Sequence, residues 1–119
     1  MLDTNVVIGL LNRSPPAHEI ALAFGINLAG NAVSQISRME LLGFAKLTLE
    51  DEKGVRNFLA DCDVILIDDQ VEAETILFRR RTKLALPDAI VAATAVVHGL
   101  ELVSLDKRLM RTFKGWKKT

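Results

Sequence analysis

Four acidic residues, far apart in the chain, stand where carboxylates could face one hollow. They are Asp3 in L-D-T-N-V-V-I, Glu40 in S-R-M-E-L-L-G, Asp88 in L-P-D-A-I-V-A-A-T-A and Asp106 in L-V-S-L-D. Each is embedded in apolar sequence, where an unpaired charge is costly. Carboxylates about 4 Å apart repel by about 4 kcal/mol per pair at an effective dielectric of roughly 20. A hard divalent cation removes that repulsion, and an all-oxygen donor set suits Mg²⁺ or Mn²⁺. If the four sites converge, the chemistry is metal-assisted.

Each acid also has a plainer reading. Asp3 and Asp106 fit helix N-caps, and Asp88, directly after Pro87, complements a helix dipole. Glu40 fits a capping box with Ser37, folding back onto the cap residue's N–H. Against that, Leu41, Leu42, Phe44 and Ala45 follow at once and suggest a buried helix. Four such acids at four element ends of one fold are harder to explain singly. His18 and His98 lack metal-ligand spacing, and neither a nucleophile elbow nor a phosphate-binding G-x-x-x-x-G-K-[ST] loop is present.

The elements that must position these acids alternate. A short strand, Met1 to Asp3, leads into a helix from Asn5 to Asn12. Ser14-Pro15-Pro16 breaks it, and Ala17 to Leu28 reads as a second helix. Ala32 to Gln35 is a short strand, Ser37 to Leu47 a helix, and a further helix opens at Thr48 or Glu50 and runs to Asp61. Asp63 to Ile67 reads as a buried strand from its β-branched content. Gln70 to Thr82 is a charged helix. Pro87 to His98 is a helix that stops at Gly99, and Leu102 to Leu105 is a strand before a short helix. The basic C-terminal tail begins at about residue 111. This order predicts an α/β fold, a three-layer α/β/α sandwich on a short parallel sheet. Ligands of such sheets bind beyond the carboxyl ends of the strands. Asp3 and Asp106 fall at strand ends, with Glu40 and Asp88 near helix starts.

The 119 residues suit one domain. With a single cysteine, Cys62, no disulfide can form within the chain, which fits a reducing cytoplasm. No signal peptide or membrane span is legible. The net charge of zero conceals segregation: 12 acids against 5 Lys/Arg through Phe78, then 3 against 10 from Arg79 onward. The second set includes Arg79, Arg80, Arg81, Lys83, Lys107 and Arg108, either solvated helix faces or an edge that binds a polyanion.

Taken in order and at their spacings, L-D-T-N-V-V-I, S-x-I-S-R-M-E-L-L-G, L-P-D-A-I-V-A-A-T-A and L-V-S-L-D resemble a PIN-domain nuclease. The likeness is greatest to the small VapC-type toxins of bacterial toxin–antitoxin pairs, and spans residues 2 to about 109. It implies a Mg²⁺- or Mn²⁺-dependent endoribonuclease leaving a 5′-phosphate and a 3′-hydroxyl. Asp3, Glu40, Asp88 and Asp106 would be the metal-binding and catalytic acids, with Asn5 and Ser104 as polar supports. It also implies a small antitoxin covering the site, and a homodimer. Two features depart from the pattern. The opening strand is about two residues short, so Asp3 is expected to be held less rigidly. The usual D-x-x-x-F after the last acid is replaced by a later Phe113. A haloacid-dehalogenase-like phosphatase would need an acid where Asn5 stands, and a phosphoacceptor receiver domain would need a different clustering of acids. A non-cleaving PIN-like module that binds RNA or protein is the alternative.

Overall fold

The structure, a computed structural model, describes residues 1–26 and 30–116. Helix α1 (Thr4–Leu11) follows Asp3, and α2 (Pro15–Phe24) opens on its prolines and closes on Gly25 at φ 65°, a left-handed cap that suits glycine. The second helix, expected to reach Leu28, stops at Phe24 because Gly25 takes the left-handed cap and Ile26 is already outside it; residues 27–29 lie outside the described residues. Next come β1 (Ala32–Ser34), α3 (Gln35–Leu42), α4 (Leu49–Ala60), β2 (Asp63–Ile65), α5 (Asp69–Arg81), α6 (Leu86–Val97) and α7 (Lys107–Trp116).

The sheet is short and parallel. β1 pairs with β2 in the register Ala32–Asp63, Val33–Val64, Ser34–Ile65. Leu2 forms single parallel bridges to Val33 on one side and Val103 on the other. The order across the sheet is therefore β2, β1, Leu2, Val103. The strand expected over residues 102–105 contracts to the bridge at Val103. Side chains alternate across a strand, and the two faces feed separate cores. Leu2, Val33 and Val103 join Val6, Val7, Leu41 and Phe58 on one face. Leu102 joins Val71, Phe78, Leu109, Phe113 and the alanines of α6 on the other. Helices thus cover both faces, the three-layer α/β arrangement the alternation predicts.

Three expectations need correction. α3 starts at Gln35, two residues earlier than read, because Ser34 caps it by accepting from the Ile36 N–H. Ser37 then lies inside the helix, the capping box does not exist, and Glu40 sits toward the helix's C-terminal end. α3 is also not buried all round: only Ser37 and Leu41 are buried, while Met39 is half exposed. Segment 63–67 is not a buried strand, since β2 ends at Ile65 and Leu66 is 60% exposed. An edge strand has a neighbour on one side only, so its far flank meets water. At the C-terminus, Arg111 and Lys114 belong to α7 rather than to a tail, and residues 117–119 lie outside the described residues.

Candidate functional site

Asp3 leaves the central segment of the sheet at its carboxyl end, and the structure buries it to 6% exposure. One carboxylate oxygen accepts from the Thr4 N–H at 2.8 Å, which is the expected N-cap; the other accepts from the Ser104 hydroxyl at 2.7 Å. The Ser104 hydroxyl in turn accepts from the Asn5 amide at 3.2 Å and from the Asp106 N–H at 3.0 Å. Asn5 also accepts from the Leu105 N–H at 3.0 Å. Asn5 and Ser104 therefore tie α1 to the segment that carries Asp106. Backbone bonds from the Leu2 N–H to Ala32 and from the Asp3 N–H to Val103 join this network in engaging the segment that carries Asp3.

Asp106 is exposed, and one of its carboxylate oxygens caps α7 by accepting from the Arg108 and Leu109 N–H groups. Glu40 is exposed too, with its carboxylate accepting from the Thr4 hydroxyl at 2.7 Å. Asp88, partly buried, lies in the first turn of α6 just after Pro87. Of the four acids, then, only Asp3 has the deep apolar setting that its sequence neighbours suggested, and Asp88 has part of it.

The four nevertheless act on one another. Burial raises the Asp88 carboxyl above its ordinary range, and the charges of Asp3, Asp106 and Glu40 push it further. Burial also raises Asp3, partly offset by its hydrogen bonds from Ser104 and Thr4, with Glu40 and Asp106 adding to the rise. No basic side chain is ion-paired to any of the four among the described residues. The result is a one-sign rim at the carboxyl end of the sheet.

That rim fits a hard cation by donor chemistry. Among the described residues no group of three or more acids, histidines and cysteines stands close enough together to hold a metal ion. Mg²⁺ does not need one, since it keeps several waters and is held through one or two carboxylates. Asp3 and Asp88 are the two most charge-strained donors.

Among the described residues, the cations from Arg79 onward are exposed. Lys107 and Arg108 open α7 beside Asp106, while Arg79, Arg80, Arg81 and Lys83 lie at the end of α5 and in the turn leading into α6. Two of them are engaged: Arg79 donates to the Leu84 carbonyl at 2.9 Å, and the Arg81 guanidinium lies 5.5 Å over the Trp116 ring. A groove of about 390 Å³ runs from Glu40 along Ile8, Leu11, Leu41, Phe44 and Leu47 to α4. Phe44 there is 63% exposed. Neither Thr4 nor this groove was anticipated. The Thr4 hydroxyl was legible only as the residue beside Asp3, and the groove lines up only once α1, α3 and α4 pack.

A family model described as PIN domain matches residues 1–114. The chain belongs to the PIN domain family. No curated protein matches it. Among solved structures, a chain of a toxin-antitoxin complex from Klebsiella pneumoniae is 33% identical with a TM-score of 0.76, over 90% of this chain and 86% of that one. VapBC2 from Rickettsia felis, bound to a DNA fragment from its promoter, shares the fold at 19% identity and TM-score 0.75, over 94% and 91% of the two chains. VapBC-1 from nontypeable Haemophilus influenzae shares it at 18% identity and TM-score 0.73, over 97% and 92%. In this PIN domain the later Phe113 is buried in the core from α7, together with Leu109.

Proposed function

We propose that this PIN domain is a metal-dependent endoribonuclease, the toxin of a toxin–antitoxin pair. The observation that carries the reading is the convergence of Asp3, Glu40, Asp88 and Asp106 on one rim, where burial raises the Asp3 and Asp88 carboxyls and the neighbouring acids raise them further. Family membership supports nuclease chemistry. The 33% identical chain from a toxin-antitoxin complex supports the toxin assignment.

Asp3 and Asp88 would hold the cation, Mg²⁺ or Mn²⁺, with Glu40 and Asp106 holding its waters. When bound, the metal supplies an activated water and offsets charge on the phosphate. Asn5 and Ser104 keep Asp3 oriented. Glu40, exposed at the rim, would receive a proton from the attacking water. An acid rim alone repels RNA, so Lys107, Arg108 and the Arg79, Arg80, Arg81 and Lys83 cluster bind the flanking phosphates. The apolar groove that begins at Glu40 suits a short apolar segment of the antitoxin, which would block the rim by occupying it. A second copy of the chain is the expected partner in a homodimer. Among the described residues no helix is long and apolar enough to cross a membrane.

The test is incubation of the pure protein with total RNA, with Mg²⁺, Mn²⁺ or EDTA, beside Asp3→Asn. Cation-dependent cleavage that falls by roughly a thousandfold in the variant, about 4 kcal/mol of barrier, is the expected result. Cation binding without cleavage would instead favour a PIN module that binds RNA or protein and does not cut.

A further inference from the structure

Thr4 offers two donors to two different acids. Its N–H reaches Asp3 at 2.8 Å and its hydroxyl reaches Glu40 at 2.7 Å, across a sequence separation of 36 residues. The contact is the only hydrogen bond to the Glu40 carboxylate among the described residues, and Glu40 is otherwise an exposed, rotamer-rich side chain.

Other threonines of this chain show how unusual that is. Thr75, Thr82 and Thr94 each turn their hydroxyl back to the carbonyl four residues earlier, at 2.7, 2.6 and 2.7 Å. That is the ordinary resting place of a threonine on a helix. Thr4 is the first residue of α1, so no earlier helical carbonyl lies beneath it. Its hydroxyl is free to point outward, and α3, which packs against α1, presents Glu40 to it. An O–H donor 2.7 Å from a carboxylate is a short, charge-assisted bond. The branched Cβ keeps the hydroxyl in few rotamers.

We propose that Thr4 is a positioning residue: it locks the Glu40 carboxylate toward Asp3 and so sets the width of the rim between α1 and α3. The consequence for cation binding rests on the metal-dependent reading above; the lock itself does not. On that reading Glu40 holds the cation's waters, and loss of a group outside the direct ligands commonly lowers metal affinity by roughly 10- to 100-fold.

The experiment compares wild type, Thr4→Val and Thr4→Ser. Valine keeps the shape and loses the donor; serine keeps the donor. The first readout is the ¹³C resonance of the Glu40 carboxyl in metal-free protein. A displaced, exchange-broadened Glu40 signal in Thr4→Val, restored in Thr4→Ser, is expected, with amide spectra showing both variants folded. An unmoved Glu40 resonance in a folded Thr4→Val overturns the proposal. The second readout is Mn²⁺ affinity by electron paramagnetic resonance, expected to fall by roughly tenfold in Thr4→Val and to recover in Thr4→Ser. Equal affinity in all three overturns the role of the lock at the metal. A wild-type chain that takes up no Mn²⁺ overturns the metal-dependent reading instead, while the Glu40 resonance still decides for or against Thr4.

Discussion

On one side of the rim, Asp3, Asn5, Ser104 and Asp106 share a continuous chain of hydrogen bonds into backbone and sheet. On the other, Glu40 leans on the Thr4 hydroxyl alone, and the Asp88 carboxylate meets no hydrogen-bond donor among the described residues. The first half is fixed by long-range contacts and is already in place. The second half is held by one side-chain contact at Glu40 and by none at the Asp88 carboxylate, whose charge a cation would offset on the proposed reading. A site that binds a cation reversibly needs both: a rigid anchor to set geometry, and donors whose repulsion makes the ion welcome.

The sharpest way to break that contrast is Ser104→Ala. It strips a donor from buried Asp3 and an acceptor from Asn5 and the Asp106 N–H, so it should cost about 1–3 kcal/mol and lower the unfolding midpoint by roughly 3–10 °C. Cation affinity should fall with it. An unchanged midpoint in a thermal melt would erase the distinction between the two halves.

Asp88→Asn should do the opposite in the absence of metal. The folded Asp88 carboxyl is raised above its ordinary 3.8, mainly by burial. The native state therefore holds its proton to higher pH than the unfolded chain does. Stability is lost as pH climbs from that value through the raised one, and the loss persists above it. Melts in EDTA should show Asp88→Asn a few degrees more stable than wild type at neutral pH, with the gap closing toward pH 3.8. Added Mg²⁺ should reverse the ranking, because only wild type keeps both donors.

The smallest effect belongs to the cations. Lys83→Ala, beside the less tethered half, and Lys107→Ala, beside the fixed half, should each weaken RNA binding only a few-fold and reduce the salt slope by about one. Titrations at several salt concentrations test this. Equal changes would show that phosphates register charge and not the scaffolding beneath it.

Much of the fold was legible in the sequence because helices announce themselves locally. Prolines opened α2 and α6, Gly99 followed α6, and the charged helix read over 70–82 is α5. The errors fell where several residues could do the same local job. Ser34 and Ser37 are both plausible caps, and only the end of β1 decides that Ser34 is used. The run D-V-I-L-I carries strand propensity without saying that it will occupy a sheet edge. The four acids were legible as types at element ends. Their unequal burial was not, because it depends on which neighbours pack above them: Asp3 beneath Ser104, Glu40 on an open helix face. The Thr4 hydroxyl escaped notice for the same reason, since its partner is set by the packing of α1 on α3.

The bond between Ser104 and Asp3 joins residues 101 positions apart. Contacts of such separation form late, after the local helices and after the loop between them has been closed. A chain still emerging during synthesis carries Asp3, Glu40 and even Asp88 before it carries the serine that steadies the first of them. The fastening of Asp3 therefore waits for Ser104, and a chain ending before that residue would hold three of the four acids and lack the hydroxyl that steadies the first of them.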